Sequence, residues 1–198
     1  MYCYEIRLLL FIFFLNIHYH TIKMNSKLSL SDTDIYIGDH ALLSLNSFIE
    51  KKNPTKIFIL LDENTREKCL PVLIDSMALL KESIPIKVAP GELSKSMRTV
   101  EHVCELLLEH DIDRHSLIIN LGGGVICDLG GFIASIIKRG VNFINIPTSL
   151  MAQVDAAIGG KVAVNFQNHK NQLGLFSSPS QVIVYPPFLN SLLHDDFL

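Results

Sequence analysis

The 198-residue sequence lacks the cysteine and histidine spacings that mark zinc sites and disulfide frameworks. Its four cysteines are scattered without a C-x-x-C pair, and its eight histidines show neither H-x-x-x-H nor H-E-x-x-H spacing. Such cysteines are typical of reduced thiols in an intracellular protein. An excess of one charge is also missing, because 17 Lys and Arg face 20 Asp and Glu. This balance gives no electrostatic reason to expect a nucleic-acid partner.

The sequence has no apolar run long enough to span a bilayer. Its N-terminal segment, residues 1–23, has an apolar centre from Ile6 to Ile17, which matches the length of a signal-peptide core instead. A small-residue cleavage site is absent, and Glu5 interrupts the basic start. We therefore expect residues 1–23 to be an extension outside the fold of a cytoplasmic protein, produced by an upstream start codon or dispensable as a tail. A membrane anchor is the alternative.

Apolar strands and amphipathic helices alternate from residue 35 onward. The predicted strands are 35–38, 56–64, 84–90, 116–123 and 141–147, and the predicted helices are 41–52, 66–82, 94–111 and 125–139. In the helix 94–111, Ser94 is the expected N-cap, and the apolar stripe consists of Val100, Val103, Leu107 and Leu108. The alternation predicts an α/β fold with a doubly wound, mostly parallel sheet. Ligands of such sheets bind at the carboxyl ends of the strands.

The stretch NLGGGVICDLGGF, residues 120–132, places three glycines where a buried strand passes into a helix. Glycines allow a phosphate to approach the free N–H groups of a helix N-terminus, so Gly122–Gly124 suit a phosphate or pyrophosphate. The spacing is not G-x-G-x-x-G, however. A tight turn, with close helix packing through Gly130 and Gly131, explains the glycines equally well on spacing alone.

A second polar group follows in residues 146–174. It contains Thr148 and Ser149 at a strand end, a lone Asp155 in an apolar helix, Lys161 after two glycines, and the pair Lys170-Asn171. A buried carboxylate is costly unless it is paired, and lysines in glycine-containing loops suit an anionic substrate. Each feature has an ordinary alternative, namely a packing carboxylate or solvated loop charge. Their combination after a glycine-rich loop favours a binding site.

The block from Gly122 to Asn165, GGGVICDLGGFIASIIKRGVNFINIPTSLMAQVDAAIGGKVAVN, resembles the 3-dehydroquinate synthase family of sugar-phosphate cyclases. The resemblance covers about residues 35–198 and is densest over 116–176. It implies a Rossmann-like NAD-binding domain, residues 24–187, and a phosphorylated sugar-acid substrate. The implied reaction converts 3-deoxy-D-arabino-heptulosonate 7-phosphate to 3-dehydroquinate and phosphate in the shikimate pathway, with NAD and zinc or cobalt. A non-catalytic NAD-binding remnant, another sugar-phosphate cyclase and a glycerol-dehydrogenase-like enzyme are the alternatives.

The resemblance also implies roles for individual residues. The implied cofactor contacts are Asp62 (at the adenine-side ribose), Gly91, Glu92, Lys95, Gly123, Gly124, Val125, Ile126, Cys127, Asp128, Thr148, Ser149, Lys161, Lys170, Phe188, Leu189, Asn190 and Ser191. The implied substrate-binding or catalytic residues are Asp155, Lys161, Asn171 and Arg139. Arg139 would reach the substrate of a neighbouring subunit, which implies a homodimer. Cys127 stands where the family often has glycine, and we expect it to be a small buried residue.

The family's metal ligands cannot be assigned in this sequence. Residues 188–198 resemble the start of a helical C-terminal domain that carries a glutamate and two histidine ligands, and His194 matches none of them. We therefore expect a fragment or a split gene product, with a separately encoded C-terminal half as a partner. The chain alone should lack cyclase activity. Residues 150–158 and 182–189 are the expected apolar face toward the missing domain.

Overall fold

A computed structural model describes residues 26–30 and 33–192. Its strands are β1 (Ser26–Leu30), β2 (Thr33–Ile37), β3 (Ile57–Leu61), β4 (Ile84–Lys87), β5 (Leu117–Gly122), β6 (Asn142–Pro147), β7 (Lys161–Phe166), β8 (His169–Phe176) and β9 (Gln181–Val184). Its α-helices are α1 (Ala41–Lys52), α2 (Glu63–Lys68), α3 (Leu70–Ser76), α4 (Met97–Glu109) and α5 (Gly124–Ile136). The extension 1–23 and residues 193–198 lie outside the described residues.

Seven of these strands form one mixed sheet in the order β1-β2-β9-β6-β5-β3-β4. Every neighbouring pair is parallel except β1 with β2. The chain leaves β3 for β4 on one side and then returns to place β5 on the other side of β3, so the winding direction reverses there. This reversal confirms the predicted doubly wound sheet, and in such sheets ligands bind at the reversal point.

Each face of the sheet carries its own apolar core, because successive side chains of a strand point to opposite faces. Phe58 and Leu60 of β3 pack with α4, α5 and β7. Ile59 and Leu61 of the same strand pack with α1 and α3. The two cores hold the strands rigidly, so the loops that leave the carboxyl ends are fixed in relative position.

The predicted helix 66–82 is wrong as a single element. The chain forms α2, α3 and a 3₁₀ turn at Ala78–Leu80 instead. Asp62 starts α2 early, because its carboxylate accepts the N–H of Thr65 and Thr65 bonds back to the Asp62 N–H. Pro71 then occupies the first turn of α3, where a missing N–H costs little.

The predicted start of the helix 94–111 is also wrong. Ser96 is the N-cap of α4 and accepts the N–H of Thr99, whereas the Ser94 hydroxyl bonds to the Gly91 carbonyl oxygen in a preceding 3₁₀ turn. Val100, Val103 and Leu107 are buried as expected, but Leu108 is 51% exposed. The apolar stripe of α4 is therefore narrower than the sequence indicated.

The turn that leads into β5 is fixed by one carboxylate. Asp113 accepts hydrogen bonds from the Thr55 hydroxyl at 2.7 Å, the His115 N–H at 2.8 Å and the Ser116 hydroxyl at 3.0 Å. These donors, with Thr55 the largest influence, lower the pKa of Asp113 to about 2. The ionised side chain therefore orders the entry to the strand that carries the glycine loop.

Candidate functional site

Five segments of the chain converge at the carboxyl edge of the sheet. They are Asp62 after β3, residues 88–96 after β4, Gly122–Gly124 after β5, Thr148-Ser149 after β6 and residues 185–191 after β9. The ends of β5 and β6 are tied together, because the Thr148 N–H donates to the Gly122 carbonyl oxygen at 3.0 Å. The edge therefore brings together most of the residues that the sequence assigned to the cofactor.

The glycine triplet forms the entrance to α5. Gly123 is the N-cap, with an extended backbone and no side-chain cap. A Cβ at Gly123 would lie 3.3 Å from the Ser149 hydroxyl, and one at Gly124 would lie 3.2 Å from Ala156 Cβ. The first N–H groups of a helix lack intrahelical partners, and a glycine surface lets an anion approach them. This cradle fits the pyrophosphate of a dinucleotide.

The glycine pair further along α5 has a different role. A Cβ at Gly130 would overlap the Asn120 carboxamide, and one at Gly131 would overlap the Val162 side chain. Of the two alternatives that the sequence left open, close packing is present at Gly130 and Gly131, where it allows α5 to approach the sheet and β7. It is present at Gly122 too, where a Cβ would lie 2.6 Å from Ile126 Cγ1. Phosphate binding at Gly123 and Gly124 stays a prediction.

A buried lysine joins the cofactor segment to the region predicted to contact substrate. Lys95 is 5% exposed, and its ammonium pairs with the Asp128 carboxylate and donates to Asn171 Oδ1 at 2.5 Å. Burial raises the pKa of Asp128, and the carboxylates of Glu92 and Asp155 add to that shift, whereas Lys95 opposes it. The sequence assigned Lys95 to the cofactor and Asn171 to the substrate, and the structure places them in direct contact.

Asp128, Asp155, Lys161 and Asn171 line one cavity of about 690 Å³. Three of the four predicted catalytic residues therefore share a cavity with the first turns of α5. Asp155 lies on a π-helical turn, Ala152–Ala156, and not in the α-helix that we expected. Such wide turns are frequent at functional sites, where they redirect a side chain.

Arg139 is the predicted catalytic residue that does not reach this cavity. It follows the last turn of α5, a helix of 13 residues that begins at the glycine loop. It therefore lies roughly 20 Å from the glycine loop along the helix axis. Its side chain is exposed, and its backbone is left-handed, with φ of 65°. Its assignment to the substrate of a second subunit stays a prediction.

Several predicted cofactor residues have side chains that are already engaged or buried. Asp62 caps α2, and Lys170 is exposed with its ammonium 3.9 Å from the Glu92 carboxylate. Ile126 and Cys127 are buried in the core, and the Cys127 N–H is already bonded to the Gly123 carbonyl oxygen at 3.1 Å. Cys127 is 1% exposed, which confirms the expectation of a small buried residue. This burial raises the pKa of its thiol.

The segment after β9 packs on the side of the sheet that carries α1 and α3. Phe188 and Leu189 are buried, and Asn190 is exposed. The Ser191 carbonyl oxygen accepts from the Lys68 ammonium at 2.8 Å, and the Ser191 hydroxyl accepts from the Cys69 thiol at 3.4 Å. Their contact with a cofactor stays a prediction.

The expected apolar face at residues 150–158 and 182–189 is wrong. Residues 182–184 are fully buried because β9 lies inside the sheet, and Ala152, Ala157 and Ile158 are buried as well. Met151 is exposed, but more exposed apolar side chains lie on the β7–β8 hairpin, which the sequence did not predict. They are Phe166, Leu173, Leu175 and Phe176, and Phe176 is 84% exposed.

Two polar residues of the site were missed by the sequence analysis. Asn165 of β7 bonds to both Glu92 and Asn171. Gln153 is fully buried in the π-helical turn and donates to the Pro147 carbonyl oxygen at 3.1 Å. The only sequence signal for Asn165 is its place after alternating valines, and its partner Glu92 lies 73 residues away.

Within residues 26–30 and 33–192, no group of three or more His, Cys, Asp or Glu side chains is placed to hold a metal ion. In the same part of the chain, no helix is long and apolar enough to cross a membrane.

Residues 85–198 match the family described as 3-dehydroquinate synthase N-terminal. A 3-dehydroquinate synthase from Parabacteroides distasonis is 40% identical over 169 residues, which cover 85% of this chain and 48% of that protein. A second, from Bacillus mycoides, is 39% identical over 179 residues, covering 89% of this chain and 47% of the relative. The chain thus spans about half the length of these curated relatives.

A solved structure of similar fold is the 2-epi-5-epi-valiolone synthase from Streptomyces hygroscopicus subsp. jinggangensis 5008, with NAD⁺ and Zn²⁺ bound. Its TM-score is 0.72 at 29% identity, over 84% of this chain and 46% of that one.

Proposed function

Because this chain belongs to the 3-dehydroquinate synthase family, we propose that it forms the NAD-binding part of a 3-dehydroquinate synthase. The proposed reaction is a carbon–oxygen lyase reaction. It converts 3-deoxy-D-arabino-heptulosonate 7-phosphate to 3-dehydroquinate with loss of phosphate, as a step of aromatic amino-acid biosynthesis. The supporting observation is the shared cavity of Asp128, Asp155, Lys161 and Asn171 beside the glycine cradle.

The residues of this chain would bind and orient the reactants. The N-terminus of α5 and the glycine triplet would hold the cofactor pyrophosphate through backbone N–H groups. The Lys161 ammonium would attract the anionic substrate, and the Asp155 carboxylate and Asn171 carboxamide would bond to its hydroxyl groups. NAD, when bound, would supply reversible oxidation of one substrate hydroxyl.

The described residues do not fit a metal site, so no step is assigned to a metal here. The valiolone synthase structure contains Zn²⁺, and a metal in the complete enzyme would need ligands from outside residues 26–30 and 33–192. We propose that residues 24–187 are the NAD-binding domain and that residues 188–198 begin a C-terminal domain. That domain, whether continuous or separately encoded, would supply the ligands, and the complete enzyme would be a homodimer.

Calorimetric titration of the chain with NAD tests the cofactor assignment. We expect weak binding by the wild type and at least about a tenfold loss of affinity in Gly124→Val, because the branched side chain occupies the pyrophosphate position. The smaller Gly124→Ala variant adds one carbon, 3.2 Å from Ala156 Cβ. It should melt near the wild-type temperature, which separates blocked binding from disturbed packing. Unchanged affinity in Gly124→Val would contradict the cradle.

Phosphate release from the substrate tests the reaction itself. With NAD and Zn²⁺ present, the chain alone should release no phosphate, and adding a C-terminal half from a relative should restore release. If NAD binds but no C-terminal half restores turnover, the non-catalytic alternative gains support. Turnover by the chain alone would show that it contains a complete active site.

A further inference from the structure

We propose that Asn165 is a positioning residue that holds the cofactor-contacting segment Glu92–Lys95 against the substrate-contacting Asn171. The proposal rests on the NAD site proposed above and adds a residue to which neither the sequence nor the family resemblance assigned a role. It concerns the geometry of the site, since Asn165 is not among the residues that line the cavity.

Asn165 occupies a junction between two parts of the chain. Its neighbours Val162 and Val164 in β7 point into the core, so the alternation of the strand turns Asn165 toward the segment after β4. The Asn165 backbone N–H donates to the Lys95 carbonyl oxygen at 2.9 Å. Its side-chain amide donates to Glu92 Oε1 at 2.8 Å, and its Oδ1 accepts the Asn171 N–H at 2.9 Å.

Both ends of the carboxamide are therefore used, one as a donor and one as an acceptor. Asparagine is the shortest side chain that offers both functions from one planar group. An aspartate of the same shape could still accept the Asn171 N–H, but it would place a second carboxylate against Glu92. An alanine would lose both bonds.

The bond to Asn171 fixes a backbone that needs support. Asn171 is left-handed, with φ of 55°, a conformation that asparagine tolerates better than most residues. In that conformation its carboxamide oxygen receives the Lys95 ammonium. The contacts form a closed ring, because Asn171 is bonded to Asn165 and to Lys95, and the Lys95 carbonyl oxygen is bonded to Asn165. Loosening one contact should therefore displace Asn171 and Lys95 together.

The first test compares NAD affinity in Asn165→Asp with that in a matched control. Asn46 on α1 donates to Glu50 at 2.9 Å on an exposed surface, so Asn46→Asp creates the same carboxylate pair away from the site. We expect Asn165→Asp to weaken NAD binding by about tenfold and Asn46→Asp to leave it unchanged. Equal NAD affinity in wild type and Asn165→Asp would overturn the proposal.

The second test reverses the polarity of the bond. In Asn165→Asp/Glu92→Gln, the amide introduced at position 92 can donate to the carboxylate introduced at position 165. Its NAD affinity should return to that of Glu92→Gln alone, which is the proper reference because Glu92 is itself a predicted cofactor contact. Failure of this rescue, together with a lowered melting temperature in Asn165→Asp, would show that Asn165 only stabilises the fold.

A third measurement does not depend on the cofactor. Hydrogen exchange of the Asn171 N–H should be at least about tenfold faster in Asn165→Ala than in the wild type, because its acceptor is removed. Unchanged exchange would overturn the proposal even if the chain bound NAD. A third result is faster exchange in Asn165→Ala combined with a wild-type chain that binds no NAD. That result would contradict the proposed function and leave the positioning role standing.

Discussion

Gly130→Ala should destabilise the chain even though alanine favours a helix. The added methyl would lie 2.5 Å from Asn120 Cγ and 2.9 Å from Leu60 Cδ2, and it would overlap the Asn120 carboxamide oxygen. Asn120 is fully buried and cannot swing aside, because its amide donates to Asn145 at 2.8 Å. Asn145 in turn donates to the Ala157 carbonyl oxygen at 3.0 Å.

The size of the effect follows from three contributions. Overpacking a core costs about 1–3 kcal/mol, and displacing Asn120 would sacrifice a buried hydrogen bond of about 1 kcal/mol. Replacing a helical glycine by alanine returns about 1 kcal/mol. We expect a net loss of about 1–3 kcal/mol in the free energy of unfolding. For a domain of this size, that loss lowers the melting temperature by roughly 2–12 °C.

Thermal unfolding followed by circular dichroism measures the change. The informative control is Gly130→Ala in an Asn120→Ala background, where the obstructing carboxamide is gone and the same substitution should cost much less. Ser135→Ala on the same helix controls for helix propensity. A Gly130→Ala chain that melts at or above the wild-type temperature would refute the close approach of α5 to β5.

Three further outcomes are expected. Asp128→Asn should lower the free energy of unfolding by about 3 kcal/mol in denaturant titrations, because the buried Lys95 ammonium loses its carboxylate partner. The double variant Asp128→Asn/Lys95→Met should recover most of that loss. An unchanged unfolding midpoint in Asp128→Asn would contradict the ion pair. Asp113 has a depressed pKa of about 2, so its contribution to stability is complete above about pH 3.9 and is lost as the pH falls through 2. Asp113→Asn should therefore flatten the pH dependence of the melting temperature over that range. An unaltered slope would contradict the assigned hydrogen bonds of Asp113. Phe176→Ser should reduce aggregation measured by light scattering more than Leu93→Ser does, because Phe176 is an exposed aromatic side chain on a hairpin that exposes three more large apolar side chains. Equal effects would argue against the hairpin as the source of aggregation.

The order of strands and helices between residues 35 and 147 was predictable because apolar runs and helical periodicity are local signals. The break inside 66–82 was not predictable from the apolar pattern, which continues through the segment. The helix begins early because of the Asp62–Thr65 capping box, and a second helix begins at Leu70. β8 gave no periodic signal because all of its residues are exposed, whereas β7 alternates buried valines with more exposed residues. Its conformation follows from pairing with β7, and Asn165 acquires its partners only through that tertiary arrangement.

The position of β9 in the sheet has a consequence for folding during synthesis. β9 lies between β2 and β6, and the Thr33 hydroxyl bonds to the Pro179 carbonyl oxygen, 146 residues later in the sequence. At typical translation rates, β2 waits roughly 7–30 s on the ribosome before its neighbour is made. During that interval β2 and β6 both present open edges, which can pair with each other. We therefore expect the main misfolded state of the nascent chain to be a sheet in which β2 pairs directly with β6 and β9 is left out.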